Sequence, residues 1–234
     1  MEMPDEDRRK IDRDDNVHKE WVKGEMISDI VKINARLLSP EQMADKWAGR
    51  LVKAERDAIR DGLTGLFNKA HAGVSLAREL KVAKKHGWKV GILFIDLDFL
   101  KEINDSFGHP VGDKVLKAVA EVIMSEERET GIACRFGGEE FVLMVPEAKD
   151  EDQLKQAAKR MGEEIWSGAA GRAGLSDKRI TISVGATLSR PGESAEKLIV
   201  RADGLMYKAK NGGRNRVVIE NADGTRQEEE FGIE

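Results

Sequence analysis

Apolar residues recur at helical spacing in the first quarter of the chain. Two stripes, each spaced four, three and four positions apart, predict two amphipathic helices within residues 17–60. The stripes are Met26, Ile30, Ile33 and Leu37, followed by Trp47, Leu51, Ala54 and Ala58. Ser39 and Gln42 have the spacing of a capping box, which favours a helix start between the two stripes. The stripes either pack within the chain's own fold or form a dimerising stalk, and the pattern leaves both alternatives open.

Strand and helix patterns alternate beyond residue 60. The apolar run at 89–96 predicts a buried strand, and Gly137-Gly138 predicts a hairpin in which both glycines take positive φ values. Strands are predicted at 89–96, 132–137, 139–145, 179–187 and 216–219, and helices up to 86 and at 113–127, 151–166 and 194–210. This order predicts an α/β (α+β) fold, with one mixed central sheet flanked by helices and an N-terminal helical extension.

The same pattern divides the chain into four parts. Residues 1–16 are dense in charge and have no apolar period, so they predict a flexible lead-in to the helical extension at 17–60. Residues 61–219 carry the alternating pattern and are expected to form one folded domain. The acidic stretch 220–234 is predicted to be unstructured.

Composition excludes several classes of protein. The chain of 234 residues is 35% charged with a net charge of -4, which argues against a protein that coats nucleic acid. Its single cysteine, Cys134, excludes an internal disulfide framework and a cysteine-rich zinc site. The charged first ten residues do not resemble a signal peptide, and no apolar run is long enough to span a membrane. We therefore expect a cytoplasmic protein without membrane insertion and without a nucleic-acid partner.

Acidic residues follow two of the predicted strands. Asp96 and Asp98 close the strand at 89–96, and Glu139 and Glu140 follow Gly137-Gly138. Carboxylates that converge on one sheet edge suit Mg²⁺, which takes its remaining ligands from phosphate and water. The alternative is that acids stand at strand ends because they reach water there. Motifs for P-loop, dinucleotide-binding, zinc-protease and serine-hydrolase sites are absent from the sequence.

Two further groups fit a nucleotide. Asn104 and Asp113, nine positions apart across a turn, could hydrogen-bond a guanine edge, although Asp113 would equally serve as a helix N-cap. Lys210 and Arg214 flank the glycines of a helix end and could contact phosphates, although cations there also complement the helix dipole. Neither pair of residues, taken alone, distinguishes nucleotide binding from a structural role at a helix end.

Five motifs, in order over residues 61–219, resemble the GGDEF family of diguanylate cyclases. They are DGLTGLFN at 61–68, FIDLDFLKEINDSFGHPVGD at 94–113, RFGGEEF at 135–141, ITISVG at 180–185 and ADGLMYKAKNGGRN at 202–215. The resemblance implies a fold like the nucleotidyl-cyclase and polymerase palm. It also implies a reaction in which two GTP molecules, held by the two subunits of a homodimer, become cyclic di-GMP and two pyrophosphates.

The resemblance further implies site residues. Mg²⁺, with Mn²⁺ as an alternative ion, would be held by Asp96, the carbonyl of Leu97 and Glu139. Glu139 would also be the base for the attacking hydroxyl, with Glu140 as its catalytic neighbour. The nucleotide would contact Asn104, His109 and Asp113 at the guanine end and Lys101, Arg135, Lys210 and Arg214 at the phosphates. Gly137 and Gly138 would let the backbone and the nucleotide approach each other.

One departure from the family pattern concerns product inhibition. The family's inhibitory site is usually Arg-x-x-Asp, and the corresponding positions here are Arg128 and Gly131. The acid is missing, so we expect weak or absent feedback. Two other products or roles remain open: a catalytically silent domain that binds GTP or a cyclic dinucleotide, and a mixed adenine–guanine product. An upstream signalling partner could act through residues 17–60.

Overall fold

The computed structural model describes residue 28 and residues 39–175, 178–221 and 223–232. The chain forms two compact units, Met1–Arg56 and Asp57–Glu234. The predicted lead-in at 1–16 and the first apolar stripe, from Met26 to Leu37, lie outside the described residues. Within the described ranges, no helix is both long and apolar enough to cross a membrane.

The second predicted helix is present as α1, Pro40–Ile59. Its capping box forms as predicted: Gln42 N–H donates to Ser39 Oγ at 3.2 Å, and Ser39 N–H donates to Gln42 Oε1 at 2.9 Å. Two members of its apolar stripe, Trp47 and Leu51, are 49% and 62% exposed. The role of this stripe therefore stays a prediction.

The described part of the second unit is built around a mixed sheet of seven strands, in the order β1-β3-β4-β2-β5-β6-β7. The strands are β1 Phe67–Asn68, β2 Lys89–Leu97, β3 Ile132–Arg135, β4 Glu140–Ala148, β5 Ile182–Leu188, β6 Arg216–Glu220 and β7 Arg226–Glu230. The central strand β2 is antiparallel to both β4 and β5, whereas β1 pairs with β3 and β5 with β6 in parallel. The predicted mixed sheet is confirmed.

Helices cover both faces of this sheet. They are α2 Lys69–His86, α3 Leu100–Phe107, α4 His109–Thr130, α5 Glu151–Glu164, a π-helical turn Ile165–Ala169, α6 Ala170–Arg172 and α7 Ala195–Asn211. Alternate residues of β2 point to opposite faces. Ile92 and Phe94 belong to the core shared with α2 and α7, and Leu93 and Ile95 to the core shared with α4 and α5.

A glycine sets the position of α7. A Cβ at Gly185 of β5 would collide with the backbone oxygen of Ala202 and the backbone nitrogen of Met206, both in α7. Glycine therefore allows the helix backbone to contact the sheet directly. This contact helps to fix the direction in which α7 runs toward the end of β2.

The prediction that residues 220–234 are unstructured is wrong. Residues 226–230 form β7, antiparallel to β6, after a turn at Asp223 and Gly224 in which Gly224 has a φ of 84°. Phe231 follows the strand and is only 2% exposed. The acidic composition of the segment concealed both the Asp-Gly turn and the apolar anchor that Phe231 provides.

Candidate active site

The ends of two neighbouring strands bring the predicted acids together. Asp96, near the end of β2, lies opposite Glu140, the first residue of β4. Leu97 N–H donates to the backbone oxygen of Glu139 at 3.1 Å. We call Asp96, Glu139 and Glu140 the acidic edge. The sequence motifs at 94–113 and 135–141 therefore meet at one edge of the sheet, as predicted.

Asp96 is a buried carboxylate with a single close cation. Its residue is 2% exposed, and Oδ1 lies 2.8 Å from Nζ of Lys210 at the end of α7. The distance is that of an ion pair, but the angles are not those of a hydrogen bond to Oδ1. Burial raises the pKa of Asp96 to about 6. Lys210 lowers this pKa, but the effect of burial is larger, and the negative charges of Glu139 and Asp98 raise the pKa further.

Asp98 has a different environment from Asp96, although only one residue separates them. It lies in the turn after β2, and its carboxylate accepts hydrogen bonds at 2.7 Å from the hydroxyls of Thr181 and Ser183. The backbone N–H of Asn215 donates a third bond at 3.2 Å. Asp98 therefore joins β2, β5 and the loop after α7, and the idea that both carboxylates project together as ligands does not fit this geometry.

The glycine pair forms the predicted hairpin by a different backbone geometry. Neither Gly137 nor Gly138 has a positive φ, so that part of the prediction is wrong. Instead, the N–H groups of Phe136 and Gly137 both donate to the backbone oxygen of Glu140, at 2.8 and 3.2 Å. A Cβ on Gly137 would collide with the carboxylate of Glu140. In this conformation the Glu140 carboxylate fills the space beside Gly137, and a larger residue there would displace the end of that side chain.

Arg135 braces this hairpin. Its guanidinium donates to the backbone oxygen of Gly138 at 2.7 Å and to the carboxylate of Asp61 at 3.2 Å. Burial would raise the pKa of Asp61, but hydrogen bonds from Thr64 and Arg135 outweigh this and lower it. The predicted phosphate role of Arg135 therefore finds no support here, because its guanidinium links the hairpin to the DGLTG turn.

The predicted guanine contacts lie on α3 and α4. These helices join at Gly108, which has a φ of 84°. Asn104 Oδ1 is buried and accepts no hydrogen bond from the described residues, and a Cβ on Gly112 would collide with it. Asp113 is exposed on α4, which begins at His109, so Asp113 is not the N-cap of that helix. Lys101 and His109 are also exposed.

The basic side of the site is the loop after α7. Gly213, Arg214 and Asn215 have φ values of 121°, 65° and 49°, so three successive residues have positive φ. The Arg214 guanidinium lies 4.7 Å from the centroid of the Phe99 ring, a cation–π contact. Phe99, itself at a φ of 60°, is 52% exposed in the turn after β2. The basic side of the site therefore combines Lys210, in the last turn of α7 beside Asp96, with Arg214, in the loop that follows, beside Phe99.

Other parts of the described chain offer less for catalysis. A cleft of about 670 Å³ lies between the end of α2 and the start of α7, around Trp88 and Pro191, and contains none of the predicted site residues. No group of three or more His, Cys, Asp or Glu side chains in the described ranges is arranged to hold a metal ion. We place the candidate active site at the acidic edge, where buried charge and sequence motifs coincide.

Comparison with known families agrees with this geometry. Residues 58–216, more than half of the chain, match the family described as diguanylate cyclase, GGDEF domain. The chain belongs to the GGDEF family. Two members of the acidic edge, Glu139 and Glu140, belong to the GGDEF motif itself, in the form Gly137-Gly138-Glu139-Glu140-Phe141.

Relatives of this GGDEF domain include two curated bacterial proteins. Diguanylate cyclase VdcA of Vibrio cholerae is 34% identical over 189 residues, which cover 80% of this chain and 53% of that protein. Response regulator PleD of Caulobacter vibrioides is 39% identical over 165 residues, which cover 69% of this chain and 36% of that protein. The chain thus spans about half or less of the length of these relatives.

Solved GGDEF structures share the fold. The coiled coil and GGDEF domain of DgcB from Caulobacter crescentus, in complex with c-di-GMP, has a TM-score of 0.70 at 29% identity, covering 80% of this chain and 98% of that one. Diguanylate cyclase SiaD from Pseudomonas aeruginosa, in complex with its activator SiaC, has a TM-score of 0.66 at 29% identity, covering 92% and 80%.

The GGDEF motifs also contain residues whose roles sequence reasoning missed. Thr181 and Ser183, in ITISVG, alternate along the chain, and that period-two spacing was the available signal that both hydroxyls face one side. Phe99 lies inside the second motif, but only the structure places it against Arg214. Outside these motifs, Gly131 directly follows α4, and a Cβ there would collide with the backbone oxygen of Met144.

Proposed function

We propose that this chain is an active diguanylate cyclase that condenses two GTP molecules into cyclic di-GMP with release of two pyrophosphates. The observation that carries the proposal is the buried Asp96 carboxylate, 2.8 Å from the Lys210 ammonium and next to Glu139. A buried carboxylate is costly unless a cation or hydrogen bonds compensate it. Such incomplete compensation is typical of a site that binds a further charged group.

The donor set suits Mg²⁺, with Mn²⁺ as an alternative. Asp96, the carbonyl of Leu97 and Glu139 would supply hard oxygen ligands, and the Lys210 ammonium at Asp96 indicates that a positive charge is stabilised there. When bound, the ion would neutralise charge on the phosphates of the substrate. Few protein carboxylates are needed, because Mg²⁺ retains water and phosphate ligands.

The chain's own residues would bind and orient GTP around this edge. Asn104 Oδ1, a buried acceptor without a partner among the described residues, would accept a guanine N–H, and Asp113 would accept another. Lys210, at the end of α7, and Arg214, in the loop after it, would contact phosphates, with Lys101 and His109 at the exposed side.

For the reaction itself, Glu139 would accept the proton of the attacking hydroxyl, and Glu140 would hold the hairpin turn that presents it. In phosphoryl transfer most of the catalysis comes from positioning and charge stabilisation. A carboxylate that recognises two guanine donors also disfavours adenine, whose ring nitrogen is an acceptor.

Turnover would require a homodimer, because each site holds one of the two GTP molecules. The exposed stripe of α1, with Trp47 and Leu51, is a candidate contact between chains. Two solved relatives, one with a coiled coil and one in complex with an activator, support residues 17–60 as a dimerising or signal-receiving segment.

The test is incubation of the full chain with GTP and Mg²⁺, followed by chromatography of the products. We expect cyclic di-GMP from the wild type and a loss of about a thousandfold in Glu139→Ala. Glu121→Ala, which removes an exposed acid on α4, is the matched control and should retain activity. Near wild-type turnover by Glu139→Ala would show that the metal ligand and base are misassigned.

The same assay separates the alternatives. A chain that binds GTP but forms no product at high protein concentration would be a silent regulatory domain. Competition by ATP as strong as by GTP would contradict the guanine contacts proposed for Asn104 and Asp113.

Feedback inhibition is expected to be weak. Gly131 takes the position of the family's inhibitory acid, and its surroundings leave no room for a side chain, because a Cβ would collide with Met144. Calorimetry with cyclic di-GMP should therefore detect weak binding or none. Tight binding that Arg128→Ala abolishes would contradict this proposal.

A further inference from the structure

The C-terminal strand and Phe231 lie beyond the residues that match the family. The match ends at 216, yet β7 pairs with β6 over its whole length and Phe231 is 2% exposed. Phe231 packs against α5, where its ring carbons would lie 2.6–2.9 Å from a Cβ on Gly162. The absence of a side chain at Gly162 thus provides the space that the ring fills.

Phe231 also contacts the loop that carries the predicted phosphate ligands. Its backbone N–H donates to the backbone oxygen of Asn215 at 3.0 Å. Asn215 in turn donates from its own N–H to Asp98 at 3.2 Å. Two hydrogen bonds, the second accepted by the Asp98 side chain, therefore connect Phe231 through the backbone of Asn215 to the turn after β2, next to the acidic edge.

This loop needs external support because its backbone is strained. Arg214 and Asn215 are both left-handed, at φ values of 65° and 49°, and non-glycine residues adopt this region at an energetic cost. Such conformations persist when surrounding contacts hold them. Arg214 N–H donates to the backbone oxygen of Ala209 at 3.0 Å, and the bond from Phe231 holds the other end of the strained pair.

We propose that Phe231 is a positioning residue, whose burial against Gly162 holds the loop 212–215, and with it Arg214 and Lys210, in the conformation that binds the nucleotide. This inference rests on the proposed function. The exposed, charged strand β7 offers little apolar anchoring of its own. Its glutamates form ion pairs with Lys155, Lys159 and Arg216, but all of these pairs are partly exposed. The aromatic ring is therefore what fastens the segment.

Three full-length variants and one control test the role of Phe231. Phe231→Ala removes the ring, and Gly162→Ala displaces it sterically while leaving Phe231 in the sequence. Phe231→Leu keeps a large apolar side chain and should hold the loop 212–215 nearly as well as phenylalanine does. Gly171→Ala, at a position where a Cβ meets no atom within 4 Å, is the control for adding a methyl group to the same helical region.

The readouts are the GTP concentration at half-maximal rate, kcat, and amide exchange at 213–216. For Phe231→Ala and Gly162→Ala we expect the half-maximal GTP concentration to rise about three- to tenfold, the size of one neutral hydrogen bond. Exchange at Arg214 and Asn215 should accelerate by a similar factor relative to β2. Phe231→Leu and Gly171→Ala should stay within about twofold of the wild type.

A purely structural role would give another pattern. Both variants would then lose stability and active fraction, while the half-maximal GTP concentration and the exchange ratio between the loop and β2 stay unchanged, and this would overturn the proposal. If the wild type forms no product, the dissociation constant for GTP with Mg²⁺ replaces the kinetic readout. If GTP does not bind, the ratio of amide exchange between the loop and β2 still tests whether Phe231 holds the loop. Failure of the proposed function can therefore be distinguished from failure of this inference.

Discussion

Buried charge occurs in two places along α7, and the two are compensated differently. We call Arg201, Glu193 and Glu220 the arginine cluster. Arg201 donates to Glu193 at 2.8 Å, to Glu220 at 3.0 Å and to the backbone oxygen of Leu188 at 2.7 Å. Burial alone would lower the pKa of Arg201, but the carboxylates of Glu193 and Glu220 outweigh the effect of burial, so the pKa is raised. At the acidic edge, burial dominates instead, and the pKa of Asp96 rises to about 6.

The difference distinguishes a buried charge that stabilises the fold, Arg201, from a buried charge that belongs to the candidate active site, Asp96. A fully paired buried ion gains hydrogen bonds that offset its desolvation, whereas an incompletely paired ion keeps part of that penalty. Proteins retain such a penalty mainly where a ligand or metal later removes it. Four substitutions, in order of decreasing expected effect on stability, test this comparison.

Replacing the central arginine should have the largest effect. Arg201→Met leaves the largely buried Glu193 side chain without its guanidinium partner and removes the least exposed of the cations that pair with Glu220, so the free energy of unfolding should fall by about 3–5 kcal/mol. Urea denaturation measures this loss. Arg190→Met, which removes a more exposed partner of Glu220, should cost no more than about 1 kcal/mol. Equal losses in the two variants would contradict the special status of Arg201.

Asp98 should behave like the arginine cluster, although it lies beside the acidic edge. Asp98→Ala leaves the hydroxyls of Thr181 and Ser183 and the N–H of Asn215 without their acceptor, and we expect a loss of about 3 kcal/mol. Thermal or urea unfolding checks this value, with the exposed Asp105→Ala as control. A loss below 1 kcal/mol would mean that water replaces the carboxylate.

Replacing Asp96 should change the free energy of unfolding in the opposite direction, so that the variant is more stable than the wild type. Its pKa of about 6 in the folded chain exceeds the ordinary value of 3.8, so its contribution to stability is complete below pH 4 and is lost as the pH rises through 6. Without metal or nucleotide, Asp96→Asn should therefore be more stable than the wild type by about 1–3 kcal/mol at pH 7–8. The difference should vanish below pH 4, and turnover should be lost. Urea denaturation in EDTA across this pH range measures it, and a destabilised variant at pH 8 would refute the assignment.

Lys210 should matter least for stability. In Lys210→Met the Asp96 carboxyl can take up a proton, so the free energy of unfolding should change by no more than about 1 kcal/mol near pH 6. GTP turnover should nevertheless fall strongly, whereas the exposed Lys197→Met should leave both quantities unchanged. A large loss of stability with normal turnover would make Lys210 a structural residue.

Much of the fold could be predicted from periodicity, because apolar spacing reports burial directly. The central strand, predicted at 89–96, is β2 at Lys89–Leu97, and the capping box of α1 forms as its spacing requires. The convergence of Asp96 and the GGDEF hairpin could also be predicted, since motifs at strand ends meet at a sheet edge.

Contacts between distant residues could not be predicted in this way. The role of Asp98 depends on hydroxyls that β5 supplies, and the burial of Phe231 depends on the space left by Gly162. The distinction between Asp96 and Asp98 is likewise invisible in sequence, because both residues are acids beside the same strand. Tertiary partners, and not residue type, decide which carboxylate stays incompletely compensated.

The partners of Asp98 also determine when the site can form during synthesis. Thr181, Ser183 and Asn215 lie 83, 85 and 117 positions after it in the chain. Contacts over such separations close long loops and tend to form late in folding. A growing chain therefore contains Asp96 and Asp98 long before either carboxylate acquires its surroundings. The surroundings of the acidic edge are completed only when the last helix and strands have been made, so an unfinished chain lacks the complete site.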